Sequence, residues 1–180
     1  MFRLKQLSTF LVASLLLSFG QTANVTLNWD ITYVQANPDG LFERRVIGIN
    51  GAWPPPPVTV NFNDTLVINA KNSLDVVTAL HSHGLFQNGT GYYDGPVGIT
   101  QCGIPPGETL TYVSTNTSVM SPPPTLLTLT SHHLSLLYHC ISSMQGQYVD
   151  GLRTSLVIHA AKEVYTYDED LTIILSGKLA

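Results

Sequence analysis

The chain has 180 residues, with 8 Lys and Arg against 12 Asp and Glu, and only 11% of it is charged. An acidic, weakly charged chain lacks the basic surface that a nucleic acid or an anionic membrane would require, so neither partner is expected. Arg3 and Lys5 precede an apolar run at 7–20, "LSTFLVASLLLSFG". A short positive region, a short apolar core and small residues read as a secretory signal peptide over 1–20, cut after Gly20, with Ala23 as the alternative. The run is shorter than the roughly 20 apolar residues that a bilayer helix needs, and no second such run follows. The expectation is a chain without a membrane span, secreted or held at the cell surface. Removing Arg3 and Lys5 leaves 6 basic against 12 acidic residues. The remainder is the size of one domain, long enough to bury a core. Asn24, Asn63, Asn88 and Asn116 each open an N-x-Ser/Thr sequon, a glycan acceptor in a secreted chain.

Hydrophobic periodicity after the signal is mostly two. Strands are predicted at 25–34, 44–50, 58–62, 65–70, 76–83, 108–113, 153–160 and 171–176. On "TLVINA", Leu66, Ile68 and Ala70 share a face, and on "ETLTYV" so do Leu110 and Tyr112. Turn signals separate these runs: "NPDG" at 37–40, "NGAWPPPP" at 50–57, "NFND" at 61–64 and "PPG" at 105–107. Many short strands between such turns predict a β-sandwich or barrel. The prolines after Trp53 read as a rigid connector rather than a ligand. Residues 119–145 contain no Asp, Glu, Lys or Arg and show no clear period, so an irregular segment is expected there.

"HSHGLFQNGTGYYDG" at 81–95 carries the chemistry. Side chains two apart on a strand share a face, so His81 and His83 would project side by side. Neutral imidazole is a good ligand for copper and zinc, and this spacing suits two neighbouring ions better than one. Gly84 lets backbone approach closely. One H-x-H pair taken alone more often marks hydrogen-bonded or surface histidines, and Asp94 in "YYDG" is by itself a turn residue. Cys102 and Cys140 would be able to pair in an oxidising compartment, though nothing in the sequence brings them together.

The wider stretch 78–112, "TALHSHGLFQNGTGYYDGPVGITQCGIPPGETLTY", resembles the first cupredoxin domain of fungal multicopper oxidases, of the iron-oxidase and laccase-like type. Residues 29–75 look like that domain's opening strands, and 146–160 like its closing part. The resemblance implies an all-β, cupredoxin-like Greek-key sandwich, a single domain over 24–160, with 161–180 starting the linker or strand towards a second domain. It implies copper as cofactor. His81 matches a ligand of the type 2 copper, and His83 a ligand of one of the paired type 3 coppers. Asp94 matches a carboxylate that helps deliver protons. The implied reaction takes single electrons from iron or phenols and reduces O2 to water. Cys102 matches a cysteine that in related laccases pairs outside this domain.

Two departures qualify the resemblance. The family carries a second His-Ser-His pair just before "GQYVDG"; here "LYHCISSMQ" offers only His139, with Ile141 where the second histidine belongs. The spacing makes His139 look coincidental, and adjacent His132 and His133 are weaker still. The type 1 copper motifs of the family's later domains are absent from these residues, so the 180 residues alone are expected to be inactive. Two alternatives stand beside the enzyme reading: a stand-alone metal-binding or interaction module, and a non-functional product of a mis-spliced gene. The last is motivated by the collapse of similarity over 119–145 and in the closing "GKLA".

Overall fold

The computed structural model describes residues 22–85, 87–114, 146–159, 168–169 and 171–174, and the backbone of 133–139. The signal peptide, Asn116, Cys140 and Ile141 lie outside the described residues, and so does the question of a Cys102–Cys140 pair.

Eight strands form two four-stranded sheets. In chain order they are β1 (Asn24–Ala36), β2 (Arg44–Ile49), β3 (Val58–Asn61), β4 (Thr65–Asn72), β5 (His81–Ser82), β6 (Thr109–Ser114), β7 (His133–His139) and β8 (Arg153–His159). The first sheet runs β2-β1-β4-β6 and the second β3-β8-β7-β5. β1 lies parallel to β4 with Val25, Leu27 and Trp29 in register with Leu66, Ile68 and Ala70. The period of two thus lines one face of each strand with hydrocarbon. That face meets Val58, Val60, Leu156 and Ile158 of the second sheet, and together they form the core. The fold is the all-β sandwich that the period-two pattern predicts, as the resemblance to a cupredoxin-like domain also implies.

Three expectations need correction. The segment expected to be irregular contains β7, which pairs with β8 along its whole length and with β5 at its end. It occupies a central position in its sheet, so that sheet lacks no strand there. Leu134 and Leu136 keep a period of two, but the adjacent Leu137 and the flanking Ser, His and Tyr blur the signal. Second, the strand expected at 76–83 shrinks to His81–Ser82. Upstream of it, Thr78 makes an isolated bridge with Ile104, and Asn72 holds the turn, donating through Nδ2 to the carbonyls of Val76 and Ile104, each at 2.8 Å. Side-chain bonds thus replace a ladder there. Third, residues 171–174 are not in a strand; Leu171 and Ile173 are largely exposed, without the buried face that a strand here would require.

Pro54–Pro57 form no strand and link edge strands β2 and β3, and Thr154 Oγ1 lies 2.8 Å from the Pro56 carbonyl.

Candidate metal centre

His81 opens the two-residue strand β5 at the edge of the second sheet, and His83 sits in the turn that follows. Gly84 makes that turn with φ of +87°, a conformation that favours glycine. The two imidazole rings are neighbours, with centroids 5.7 Å apart and nearly perpendicular planes. The His81 side chain is 14% exposed, whereas His83 is exposed. The expected side-by-side pair is therefore present, although the strand carries only its first member.

Asp94 closes a short 3-10 turn, Gly91–Tyr93, and lies beside His81 in space. The Nδ1 nitrogen of His81 is 2.6 Å from the Asp94 carbonyl oxygen and 3.3 Å from the carboxylate oxygen Oδ1. A carbonyl only accepts, so Nδ1 carries the proton and donates it. When the ring is neutral, its lone pair then lies on Nε2, the atom a metal would use. Histidine ligands are commonly oriented this way, with the second ring nitrogen donating to a carbonyl or carboxylate. The next residue, Gly95, has φ of +104° and lies tight against the chain at Leu80 and His81. A β-carbon there would sit 2.9 Å from His81 Cα and collide with the Leu80 carbonyl. Asp94 is thus both the turn residue and the carboxylate neighbour; the two readings do not compete.

His139, which linear spacing sets apart from the family pattern, lies at the end of β7. The β5–β7 register sets its α-carbon directly opposite that of His81. Linear spacing to "GQYVDG" could not show this, because register is decided by strand pairing. His133 lies at the other end of β7, opposite His159 and away from the pair. Among the described residues no group of three or more His, Cys, Asp or Glu is placed to hold a metal ion. The donor set described here is two adjacent imidazoles, one with an oriented tautomer, and it suits copper or zinc.

Sequence reasoning also missed the groups behind His81. The buried hydroxyl of Tyr112, on β6, accepts from the Leu80 backbone N–H at 3.0 Å and from Gln101 Nε2 at 2.9 Å. Gln147, buried, donates through Nε2 to the Val77 carbonyl at 2.9 Å and accepts from Thr78 Oγ1 at 2.8 Å. Only the period-two pattern that put Tyr112 on the inner face of its strand hinted at any of this. Cys102 is exposed and forms no disulfide among the described residues.

The family model for the multicopper oxidase domain matches residues 30–121, which hold His81, His83 and Asp94. The chain belongs to the multicopper oxidase family. It is 45% identical over 177 residues to the iron transport multicopper oxidase fetC of Epichloe festucae, covering 98% of this chain and 26% of that one. It is 46% identical over 174 residues to the iron multicopper oxidase fer1 of Mycosarcoma maydis, covering 92% of this chain and 27% of that one. Among solved structures, Fet3p, a multicopper oxidase that functions in iron import, superposes with a TM-score of 0.70 at 36% identity, covering 82% of this chain and 25% of that one. The chain thus spans about a quarter of the length of the multicopper oxidases it matches. No helix among the described residues is long and apolar enough to cross a membrane.

Proposed function

We propose that residues 24–160 are the copper-binding N-terminal cupredoxin domain of a secreted or cell-surface multicopper oxidase. His81 holds the type 2 copper and His83 a type 3 copper. Bound copper supplies the one-electron chemistry that couples substrate oxidation to reduction of O2 to water. Similarity to proteins named for iron transport favours iron over phenols as the electron donor. The observation that carries this reading is the ring pair itself: two imidazoles 5.7 Å apart, with Nδ1 of His81 committed to the Asp94 carbonyl.

The chain's own residues have separable tasks. Asp94 orients His81 through its carbonyl and presents a carboxylate that can take up and release protons beside the ring. Gly95 lets the two segments approach. His139 is a third ligand candidate, on the strength of its register with His81. Among the described residues two imidazoles are brought together, so the isolated domain binds copper without family-like turnover. The signal peptide at 1–20 and glycans on Asn24, Asn63 and Asn88 complete the reading; all three asparagines are exposed.

Copper content of the purified chain tests it, by elemental analysis and electron paramagnetic resonance. Wild type should retain copper after desalting, and His81→Ala/His83→Ala should lose it. Equal content in both would remove the reading, and family-like oxidation of ferrous iron by the isolated chain would overturn its inactivity. His139→Ala should lower copper affinity without unfolding the chain.

A further inference from the structure

We infer that Tyr112 is a positioning residue for His81, acting through one hydroxyl oxygen that ties together the two segments meeting at that ring. The inference rests on the copper reading only for its consequence; the positioning stands on geometry alone.

Tyr112 lies in β6, opposite Ile68 on β4, and is 5% exposed. Its ring packs in the core between the sheets. Its oxygen accepts from the N–H of Leu80, the residue just before His81. The same oxygen accepts from Gln101 Nε2, in the loop that follows Asp94. That loop closes on itself, with Gly98 N–H donating to the Gln101 carbonyl at 2.9 Å and Thr100 N–H to the Pro96 carbonyl at 3.0 Å. It begins at Gly95, pressed against Leu80 and His81. One oxygen, anchored to the first sheet, therefore sets both the main chain that delivers His81 and the loop that delivers the Asp94 carbonyl to Nδ1. The 2.6 Å bond between them depends on both segments keeping their separation. A purely packing role for Tyr112 would need the ring and not the hydroxyl.

Tyr112→Phe separates the two roles, since it keeps the ring and deletes the oxygen. The readout is the nitrogen-15 spectrum of the imidazoles in the full labelled chain, which reports which ring nitrogen bears the proton. Wild type should show His81 as one tautomer, with the proton on Nδ1. Tyr112→Phe should show a mixture, and its copper affinity should fall by less than the roughly tenfold that loss of a direct partner of a ligating ring costs. Tyr33→Phe is the control: its hydroxyl donates to Asp75 at 2.6 Å, outside the site, and should move neither measurement. Should Tyr112→Phe fail to fold, Gln101→Leu removes one of the two bonds to the same oxygen and should shift His81 in the same direction, by less. An unchanged His81 tautomer in the folded variant would overturn the inference. Wild type without copper would instead sink the copper reading and leave the tautomer result to decide this one.

Discussion

The seam between β1 and β4 and the stretch from Thr78 to Ile104 are held by different forces. The seam is an eight-rung parallel ladder whose inner face is hydrocarbon. The stretch around His81 has a two-residue strand, and is held by side chains bonding to backbone: Asn72 to Val76 and Ile104, Tyr112 to Leu80, Gln147 to Val77. Burial is non-directional, so by itself it does not fix where a polar group points. Hydrogen bonds weaken steeply with angle, so they hold a position. The sandwich thus owes its stability to the first region, and the aim of its imidazoles to the second.

Substitutions should separate stability from aim. The largest effect is expected from Leu156→Ala in the core, at 0% exposed: a loss of about 2–5 kcal/mol in urea unfolding, enough to take the site with it. Gly95→Ala comes next, at about 1–3 kcal/mol, because its β-carbon meets main chain that cannot yield cheaply. Unlike the core variant, it should also disturb the His81 tautomer in molecules that remain folded; an undisturbed ring would erase the distinction between the regions.

Asp64→Asn should cost about 1 kcal/mol, the difference between charged and neutral acceptors. The Asp64 carboxylate accepts from the N–H groups of Ala23 and Asn61, each at 2.8 Å, and from Asn61 Nδ2 at 3.1 Å, pinning the start of β1 to the β3–β4 turn. The Ala23 bond first, then those from Asn61, hold its pKa below the ordinary aspartate value, against the opposing effect of burial. A depressed folded-state pKa contributes stability above the unfolded value of about 3.9, which is lost as pH falls through the folded value. Urea midpoints below pH 4 should therefore drop more steeply in wild type than in the variant, with no change at His81.

The smallest effect is expected from Arg44→Met. Its 3.3 Å ion pair with Asp150 is partly exposed, so about 0–1 kcal/mol should be lost, and less in high salt. A cost above 2 kcal/mol would show that charge pairing, not burial, holds the β2 side of the first sheet.

Much of the first region was legible in the chain. The alternation in "TLVINA" places Leu66, Ile68 and Ala70 inward, and all three are buried. The second region was legible mainly through resemblance. His81, His83 and Asp94 were named on that ground, and the structure sets them close together, although the strand meant to carry the two histidines is shorter. His139 was set aside on linear spacing, yet pairs with His81 because β7 runs antiparallel to β5. "HLSLLYH" was unreadable as a strand because its polar positions are Ser, His and Tyr rather than charges, which flattens the contrast that periodicity needs.

By itself the sequence determined the fold class, the turns and the inward face of the long strands, since alternation and glycine–proline chemistry act over a few neighbouring residues. Only the tertiary structure decided which residues meet at the imidazole pair. The Asp94 carbonyl reaches Nδ1, the Tyr112 hydroxyl reaches Leu80 from another sheet, and His139 lies across from His81. Each of these depends on register between segments distant along the chain, which no local pattern encodes.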